Sequence, residues 1–600
     1  MCAGNPTARI KRRSGRCGPE GMRLRIFRII IIVTLVLSIV SLFLKQVENA
    51  GPVVRTAGGI IDYLIVGLVA LEALTGMLTA RYKLLYLREH KFSLLFVAVF
   101  IILFVIVKAD LITQFTAAGS SITLLLILLR NSFLAMKIFG RFQKFSKFME
   151  TFTVHPAQSI LLSFLFVILT GTLVLMMGFT TVDGKGLSFI NGLFTATSAV
   201  CVTGLIVVDT AVHFTLWGQL VILLLIQIGG LGIMILSFFA VYALRRTITL
   251  EDKLLLSYML SEDDMTGLTT SLRNIILITF SIELAGAIVL FSGFLPRFGL
   301  TPHTALLAVF HSISAFCNAG FSLFSDSLES FRGNPVIIVT VAMLIILGGV
   351  SFAVITNVSA SLTRRLRRKK GAPHSRRAGL TLNTRLILKY TGLLIAAGLV
   401  IFYFLEHDRT MKDYGLGDQY LSAFFQSVTL RTAGFNTVPF SALQPGTYLF
   451  MIIFMFIGAG SGGTAGGIKI NTMAVIGASL RAFLKGEKHA RLGNYSVSPD
   501  RVSRSIIILL FGLFSVLIGT FVLSLTEQAP FLSLFFEATS AFGTVGLSAG
   551  VTAGLSTVGK IMIIVLMYLG RLGPLTILSA ASRKNPKVKI EYPMGDISVG

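Results

Sequence analysis

Four short stretches of the chain end in a glycine and have the residue types that bind a dehydrated cation. The glycines are Gly204, Gly320, Gly434 and Gly546, which are 116, 114 and 112 residues apart (320 − 204, 434 − 320 and 546 − 434). Glycine reaches backbone angles that a Cβ forbids, so neighbouring carbonyl groups can point into one narrow space. Rings of such carbonyl oxygens replace the hydration shell of a small cation. The spacing therefore predicts a filter made of four glycine turns around one axis.

The two residues before each glycine complete the predicted filter, and none of them is charged. The filter residues are Val202, Thr203, Gly204, Asn318, Ala319, Gly320, Thr432, Ala433, Gly434, Thr544, Val545 and Gly546. Because no acidic or basic side chain stands at these positions, a ring of charge is not the selecting device. Backbone oxygens, helped by threonine and asparagine side chains, are the predicted ligands.

A short apolar helix precedes each turn, and two residue types recur along it. A phenylalanine stands ten residues before every glycine: Phe194, Phe310, Phe424 and Phe536. A serine stands six residues before three of them: Ser198, Ser314 and Ser540, with Val428 in the third stretch. We expect the phenylalanines to pack against neighbouring helices, and we favour packing over filter support for the serines. The carboxyl end of such a helix carries about half a negative charge and would favour a cation in front of it.

The composition is that of a polytopic membrane protein. Hydrophobic residues make up 54% and charged residues 13% of the 600 residues, and the mean hydropathy is +0.82. Many apolar runs approach the length that crosses a bilayer as a helix. The net charge of +26 comes from basic residues between the spans, which indicates orientation and a lipid environment, not a nucleic-acid partner. Both termini are predicted to be cytoplasmic and all four turns to lie on the outside.

The predicted fold class is an all-α polytopic membrane protein in which membrane helix, pore helix, turn and membrane helix recur four times. In chain order we predict a basic cytoplasmic N-terminus (1–23), four extra membrane helices (24–150), pore repeats at 155–246 and 272–362, a basic cytoplasmic loop (363–383), pore repeats at 384–480 and 505–581, and a cytoplasmic tail (582–600). The last membrane helices of the second and fourth repeats are predicted as single spans over 335–361 and 557–581.

The region 24–150 allows two interpretations. Arg130, Lys137, Arg141 and Lys144 fall on one helical face, and Asp62 and Glu72 lie within a predicted span. A juxtamembrane anchor with a buried polar pair is the interpretation we favour. A primitive voltage sensor, in which intramembrane acids partner moving bases, is the alternative.

The last membrane helix of the third repeat is interrupted by a glycine-rich loop, residues 458–467. Its glycines are Gly458, Gly460, Gly462, Gly463, Gly466 and Gly467, and Lys469 follows. At about 1 kcal/mol each relative to alanine, these glycines rule out a stable helix. Non-helical backbone at membrane depth is tolerated where it lines a cavity, so the pattern predicts a movable gate below the filter. A phosphate-binding loop is the rival, but the preceding strand and the GK[ST] ending are missing.

Arg571 is a lone charge inside the last predicted span, in MYLGRLGPLT. Charged residues at this depth are costly and usually functional. We expect Arg571 either to contact the glycine-rich loop or to repel cations.

Taken together, these residues resemble the Trk/Ktr/HKT superfamily of potassium transporters, and most closely the Ktr-type membrane subunit. The matching pieces are TSAVCVTGL, FTLWGQLVILLLIQIGGLG, AFCNAGFSLF, SVTLRTAGFNTV, GAGSGGTAGGIK and GRLGPLT, which together span about residues 155 to 580. The four N-terminal spans exceed what the family has. Asn318, with Cys317 before it, departs from the usual filter residues at a position where the family varies.

The resemblance implies one pore per chain, a homodimer, and a ring of separate cytosolic nucleotide-binding regulatory subunits of the KTN/RCK type. It also implies that the glycine at position 204 is associated with potassium transport, whereas a serine at this position would be associated with sodium transport. The family's intramembrane gate corresponds to residues 458–467 and its helix arginine to Arg571. This chain has no dinucleotide fingerprint of its own, so nucleotide control would come from the partner.

The function that follows is potassium uptake across the cytoplasmic membrane through a gated pore, driven by the membrane potential. Potassium is the substrate, held only at filter carbonyls, no cofactor is expected, and sodium as an activator stays open. Sodium- or proton-coupled symport is the alternative, with Asp209, Glu283 and His311 as candidate residues that form no obvious relay. Paired acids and metal triads are missing, so an enzyme is not expected.

Overall fold

The computed structural model describes residues 156–232, 268–366 and 380–581, all of them within one compact unit of the chain. The predicted N-terminal region, the end of the first repeat, most of the basic loop 363–383 and the tail after residue 581 lie outside the described residues. This also applies to both interpretations of the region 24–150.

Fifteen α-helices and one β-hairpin make up the regular structure of the described residues. The helices of the first half are α1 (Pro156–Leu175), α2 (Phe189–Val200), α3 (Leu216–Leu231), α4 (Leu268–Phe298), α5 (Pro302–Phe316), α6 (Pro335–Val350) and α7 (Phe352–Leu366). The elements of the second half are α8 (Leu382–Glu406), α9 (Leu416–Thr429), α10 (Pro445–Phe456), α11 (Ile470–Leu484), the antiparallel strands β1 (Arg491–Leu492) and β2 (Tyr495–Ser496), α12 (Pro499–Thr526), α13 (Phe531–Gly543), α14 (Thr557–Leu572) and α15 (Pro574–Ala581).

Four short helices, α2, α5, α9 and α13, each run into one of the glycine turns. We call each short helix with its turn and flanking helices a unit, numbered in chain order. Thr301 caps α5 by accepting a hydrogen bond from the Thr304 N–H at 3.2 Å, and Pro302 occupies the first turn of the helix. Three of the recurring phenylalanines, Phe194, Phe310 and Phe536, are fully buried, which confirms their packing role. The fourth, Phe424, is half-buried.

The long helices have the length and the outer surface of membrane spans. Asn274–Phe298 of α4, Leu382–Glu406 and Pro499–Thr526 are each long and apolar enough to cross a bilayer. Two bent pairs raise the number to five in the described residues if each pair is one span. Large apolar side chains such as Leu284 and Phe521 are 63% exposed on these helices, as expected for a surface that faces lipid. The prediction of a helical, multi-pass membrane protein is confirmed.

Two predicted spans are broken, which corrects their single-helix assignment. The span predicted over 335–361 bends by 101° between α6 and α7, where Ser351 has a φ of 98°. The span predicted over 557–581 bends by 93° between α14 and α15, where Gly573 has a φ of 80°. A residue at positive φ cannot continue the right-handed helical ladder, so the chain leaves the axis at these points.

Glycines in three 16-residue helices, α3, α6 and α14, let these helices pack directly on the carboxyl ends of short helices. A Cβ built on Gly348 would lie 2.9 Å from the carbonyl carbon of Phe316, the last residue of α5. Gly229 stands in the same relation to Val200 of α2, and Gly570 to Phe542 of α13. These contacts set how closely the long helices approach the turns.

We expect Gly348→Ala to destabilise the protein, because the new methyl group meets backbone that cannot rotate away. Overpacking of this kind costs about 1–3 kcal/mol of the free energy of unfolding. Thermal unfolding of the detergent-solubilised chain, followed by circular dichroism, measures the loss. Gly392→Ala in α8 is the matched control, since no atom lies within 4 Å of its built Cβ. Equal unfolding midpoints for the two variants would contradict the packing argument.

Candidate cation-conducting site

The four predicted filter glycines meet in a closed ring. A Cβ built on Gly204 would lie 2.9 Å from the Cα of Gly320, and one on Gly320 would lie 2.9 Å from the Cα of Gly434. The ring continues from Gly434 to the Cα of Gly546 at 3.3 Å and closes from Gly546 to Gly204 at 3.0 Å. The chain thus brings together four turns that lie more than a hundred residues apart, in the order in which they occur.

The backbone repeats the same conformation in every turn. The glycines have φ of 96°, 70°, 82° and 91°, and the residues two positions earlier are also left-handed: Val202 (56°), Asn318 (60°), Thr432 (69°) and Thr544 (50°). Left-handed non-glycine residues cost free energy and persist only where their surroundings hold them. Four strained residues at equivalent positions indicate that the turn geometry itself is required.

Carbonyl oxygens line the ring. The atom nearest to the Cβ built on each glycine is the carbonyl oxygen of the residue just before the next unit's glycine: Ala319, Ala433, Val545 and Thr203. The hydroxyls of Thr203, Thr432 and Thr544 are buried and have no hydrogen-bond partner in the described residues. Unpaired oxygens of this kind suit a cation that has lost its water. Groups of three or more His, Cys, Asp or Glu side chains that could hold a metal ion are absent from the described ranges.

The serines six residues before the glycines form hydrogen bonds with the turn segments, which corrects our preference for packing. The hydroxyl of Ser198 accepts a hydrogen bond from the Gly204 N–H at 3.1 Å, and that of Ser540 accepts one from the Gly546 N–H at 3.1 Å. Ser314 instead donates to the Phe321 carbonyl at 2.7 Å, beyond its glycine. In the third unit, where Val428 has no hydroxyl, Thr429 donates to the equivalent Phe435 carbonyl at 2.6 Å. Every turn is thus tied to its own short helix.

Two buried polar residues fix the chain beyond the second and fourth turns. His311, nine residues before Gly320, lies 3.0 Å from the Ser322 hydroxyl through Nε2. Glu537, nine residues before Gly546, accepts from the Ser548 and Thr552 hydroxyls at 2.6 Å each. Both side chains hold the segment after a turn, so they have a structural role that the sequence did not indicate.

The segments after the second and third turns are joined to each other. The Asn436 side-chain amide donates to the Glu329 carboxylate at 2.6 Å, and the Leu328 N–H donates to the Asn436 carbonyl at 3.0 Å. Burial, and to a lesser extent the neighbouring Asp326, raises the pKa of Glu329. The Glu329 carboxyl group is thus bound to a residue that follows Gly434 by two positions.

The glycine-rich loop, residues 458–467, lies directly against the fourth glycine turn. A Cβ built on Gly466 would lie 2.8 Å from Cγ2 of the filter residue Thr544, and one on Gly467 would lie 3.3 Å from the Cα of Gly543. The loop has no helix between α10 and α11, as predicted, and its ends are joined by one parallel β-bridge between Ile457 and Ile468. Its position is that of an obstruction next to the ring.

The other half of the loop docks on the break between α6 and α7. The Gly460 N–H donates to the Gly349 carbonyl at 3.1 Å, and the Thr464 N–H donates to the Gly348 carbonyl at 3.2 Å. Gly462 accepts from the Phe352 N–H at 3.5 Å, and a Cβ built on Gly463 would lie 2.8 Å from the Gly349 oxygen. Small residues are needed here because backbone meets backbone.

Three basic side chains donate to carbonyl groups of the loop. Arg571 donates to the Thr464 carbonyl and also to that of Gly229 in α3, so it contacts the loop as predicted. Lys469, immediately before α11, donates to the Ala465 carbonyl. Arg431 donates to the Gly458 carbonyl at 2.9 Å. The sequence analysis did not single out Arg431, which lies three residues before Gly434 and just beyond the carboxyl end of α9. The available signal was a lone charge beside a turn whose other residues are uncharged.

The residues considered for coupled transport lie in separate networks. Glu283 accepts from the Gln227 side chain at 3.1 and 3.2 Å, Asp209 accepts from the Ala211 N–H, and His311 binds Ser322 and the Leu307 carbonyl. No hydrogen bond or ion pair joins the three within the described ranges. Cys201 and Cys317 are free and buried.

Comparison with known proteins places this geometry in a family. Residues 128–592 match the family described as TrkH, cation transport protein. The chain is 40% identical over 448 residues to the Ktr system potassium uptake protein B of Bacillus subtilis, covering 74% of this chain and 97% of that protein. It is 33% identical over 451 residues to the potassium/sodium uptake protein NtpJ of Enterococcus hirae, covering 74% and 97%.

The fold resembles the crystal structure of the potassium transporter TrkH from Vibrio parahaemolyticus, with a TM-score of 0.58 at 17% identity, over 82% of this chain and 98% of that one. The family match extends over most of the chain and confirms the resemblance noted in the sequence. Transporters of this family are not enzymes, which confirms that prediction as well. The chain belongs to the TrkH family of cation transport proteins.

Proposed function

We propose that this protein takes up potassium through a channel-like pore whose selectivity filter is the ring of four glycine turns. The observation that carries the proposal is the closed ring itself, with four carbonyl oxygens next to four left-handed glycines. In this proposal the four units are four membrane–pore–membrane repeats around one axis, with the turns on the outer side. The names of the relatives support potassium as the substrate. Because NtpJ is named as a potassium/sodium uptake protein, sodium is included in the proposal as a second transported ion or as an activator.

The ion is selected by backbone oxygens. Val202, Asn318, Thr432 and Thr544 hold the strained positions, Thr203, Ala319, Ala433 and Val545 supply the carbonyls of the ring, and Gly204, Gly320, Gly434 and Gly546 allow the four backbones to meet. A cation that enters exchanges its water for these oxygens. The ends of the four short helices add negative potential in front of the filter.

The membrane potential is a sufficient driving force. An interior-negative membrane supplies about 2.3 kcal/mol per charge per 100 mV, which corresponds to about fiftyfold accumulation of a monovalent cation. Coupling to a second ion is therefore not required. The separate networks of Asp209, Glu283 and His311 give no support to a proton relay.

The glycine-rich loop is the proposed gate. Gly458, Gly460, Gly462, Gly463, Gly466 and Gly467 provide a backbone without side chains, so the loop can lie against Thr544 and can also change conformation. Lys469 and Arg571 hold it through carbonyl contacts. Movement of this loop away from the ring would open the path toward the cytoplasm.

Control of the gate comes in this proposal from a separate cytosolic ring of nucleotide-binding subunits on a homodimer of this chain. The relative named as protein B of a Ktr system supports a system of more than one component. The location is the cytoplasmic membrane, with both termini in the cytoplasm.

We expect the wild-type chain to restore growth of a potassium-uptake-deficient bacterium on limiting potassium. We expect Gly204→Ser to lower the ratio of rubidium to sodium flux about tenfold, or 1.4 kcal/mol, because a side chain at φ 96° displaces the carbonyls of the next turn. Growth and isotope fluxes measure the two effects. Gly392→Ala is the control for expression. Absence of uptake from well-expressed wild-type protein, even with a candidate regulatory subunit supplied, would refute the proposal.

A second prediction concerns the support of the fourth turn. Ser540→Ala removes the acceptor of the half-buried Gly546 N–H, and leaving a buried donor unsatisfied costs up to about 1–3 kcal/mol. We expect the thermal stabilisation by potassium, relative to choline, to shrink because the turn no longer holds its shape. Ser524→Ala is the matched control, since that hydroxyl donates to the Phe521 carbonyl on an exposed helix surface. If potassium stabilised Ser540→Ala and the wild type equally, Ser540 would have no role in holding the filter.

A further inference from the structure

Arg431 breaks the fourfold pattern of the site at one position. It stands three residues before Gly434, where the other units have Cys201, Cys317 and Gly543. A charge therefore follows the carboxyl end of only one of the four short helices, α9. This is the unit whose last membrane helix is interrupted by the glycine-rich loop.

The Arg431 side chain is buried and incompletely bonded. It is 5% exposed, and Nη2 donates to the Gly458 carbonyl at 2.9 Å. Its Nε and Nη1 have no partner in the part of the chain that the structure describes. A buried charge without a paired carboxylate is costly, and such residues inside membrane proteins mark function by default. The negative end of the α9 dipole offsets part of this cost.

The contact joins the filter to the loop. Arg431 belongs to the segment that ends in the third filter turn, and Gly458 is the first residue of the glycine-rich loop, two residues after α10 ends. Arg571 binds Thr464 near the other end of the loop, so guanidinium groups hold it at two points. Between these two points, the loop contacts the backbone of Gly348 and Gly349 through backbone hydrogen bonds. The loop cannot leave the ring without breaking the Arg431 bond or moving the third turn.

We propose that Arg431 is a positioning residue that couples the third filter turn to the gate. Its bond to Gly458 holds the loop in the pore, and breaking that bond releases the loop toward the cytoplasm. The inference rests on the proposed function for the meaning of the loop as a gate. The position of the loop can be measured independently of transport, so the two can fail separately.

The test uses the full chain reconstituted in liposomes, with rubidium influx as one readout and loop exposure as the other. Loop exposure is the labelling rate of Ser461→Cys by a membrane-impermeant thiol reagent, with Cys2 and Cys17 replaced by serine. Cys201 and Cys317 are buried and stay in place. The variants are Arg431→Met, which removes charge and bond, and Arg431→Lys, which keeps the charge and one donor.

We expect Arg431→Met to raise both the rubidium influx and the labelling rate about tenfold, the scale of one lost hydrogen bond to a charged group. Arg431→Lys should return both toward wild type, and the rubidium-to-sodium ratio should stay unchanged. Arg385→Met is the matched control, because Arg385 also donates to a backbone carbonyl, that of Leu380, but outside the site. It should leave both readouts unchanged.

An unchanged labelling rate in Arg431→Met overturns the inference, even if the influx changes, because a purely electrostatic role would raise influx without moving the loop. If Arg431→Met does not fold, Arg431→Gln replaces it under the same criteria. If wild type conducts no rubidium, the proposed function fails, and the labelling rates still decide whether Arg431 positions the loop.

Discussion

The structure depends on one constraint, the approach of four backbone turns to distances at which no side chain fits between them. Each filter glycine lies where a Cβ would meet the Cα of the next unit at 2.9 to 3.3 Å. A ring this tight can be made only by glycine and only if each turn is held from behind. The short helices, the hydroxyls that tie the turns to them and the glycines of the long helices all serve this requirement.

In the proposed function, the same constraint explains why selectivity and gating lie in different segments. A filter of fixed carbonyls must not deform, so movement would come from another segment. The glycine-rich loop suits that role because backbone hydrogen bonds and three basic side chains hold it in place. Segments of that kind open at a lower free energy than packed helices do.

The ring of four glycine turns could be predicted from the sequence, because the regular spacing of the glycines indicates a requirement of the backbone. The loop at 458–467 was predictable for the same reason, and so was its contact with Arg571. The bonds of Ser198 and Ser540 were not, because the partner of a hydroxyl depends on where the chain turns six residues later. The break at Ser351 was hidden as well, since a non-glycine residue at positive φ has no compositional signal.

The breaks in the long helices and the glycine-rich loop have a common origin. Each helix that packs on a short helix through a glycine has a residue at positive φ three positions later: Gly229 and Gly232, Gly348 and Ser351, Gly570 and Gly573. The third unit has the same spacing in Gly458 and Ser461. There, however, the Gly458 N–H donates at 2.8 Å to the carbonyl of Ile468, just after the loop, and Gly458 lies next to Gly466. The loop therefore occupies the point where the second and fourth units bend. The helix break that clears the carboxyl end of a short helix in those two units is extended in the third unit into the segment that we propose as the gate.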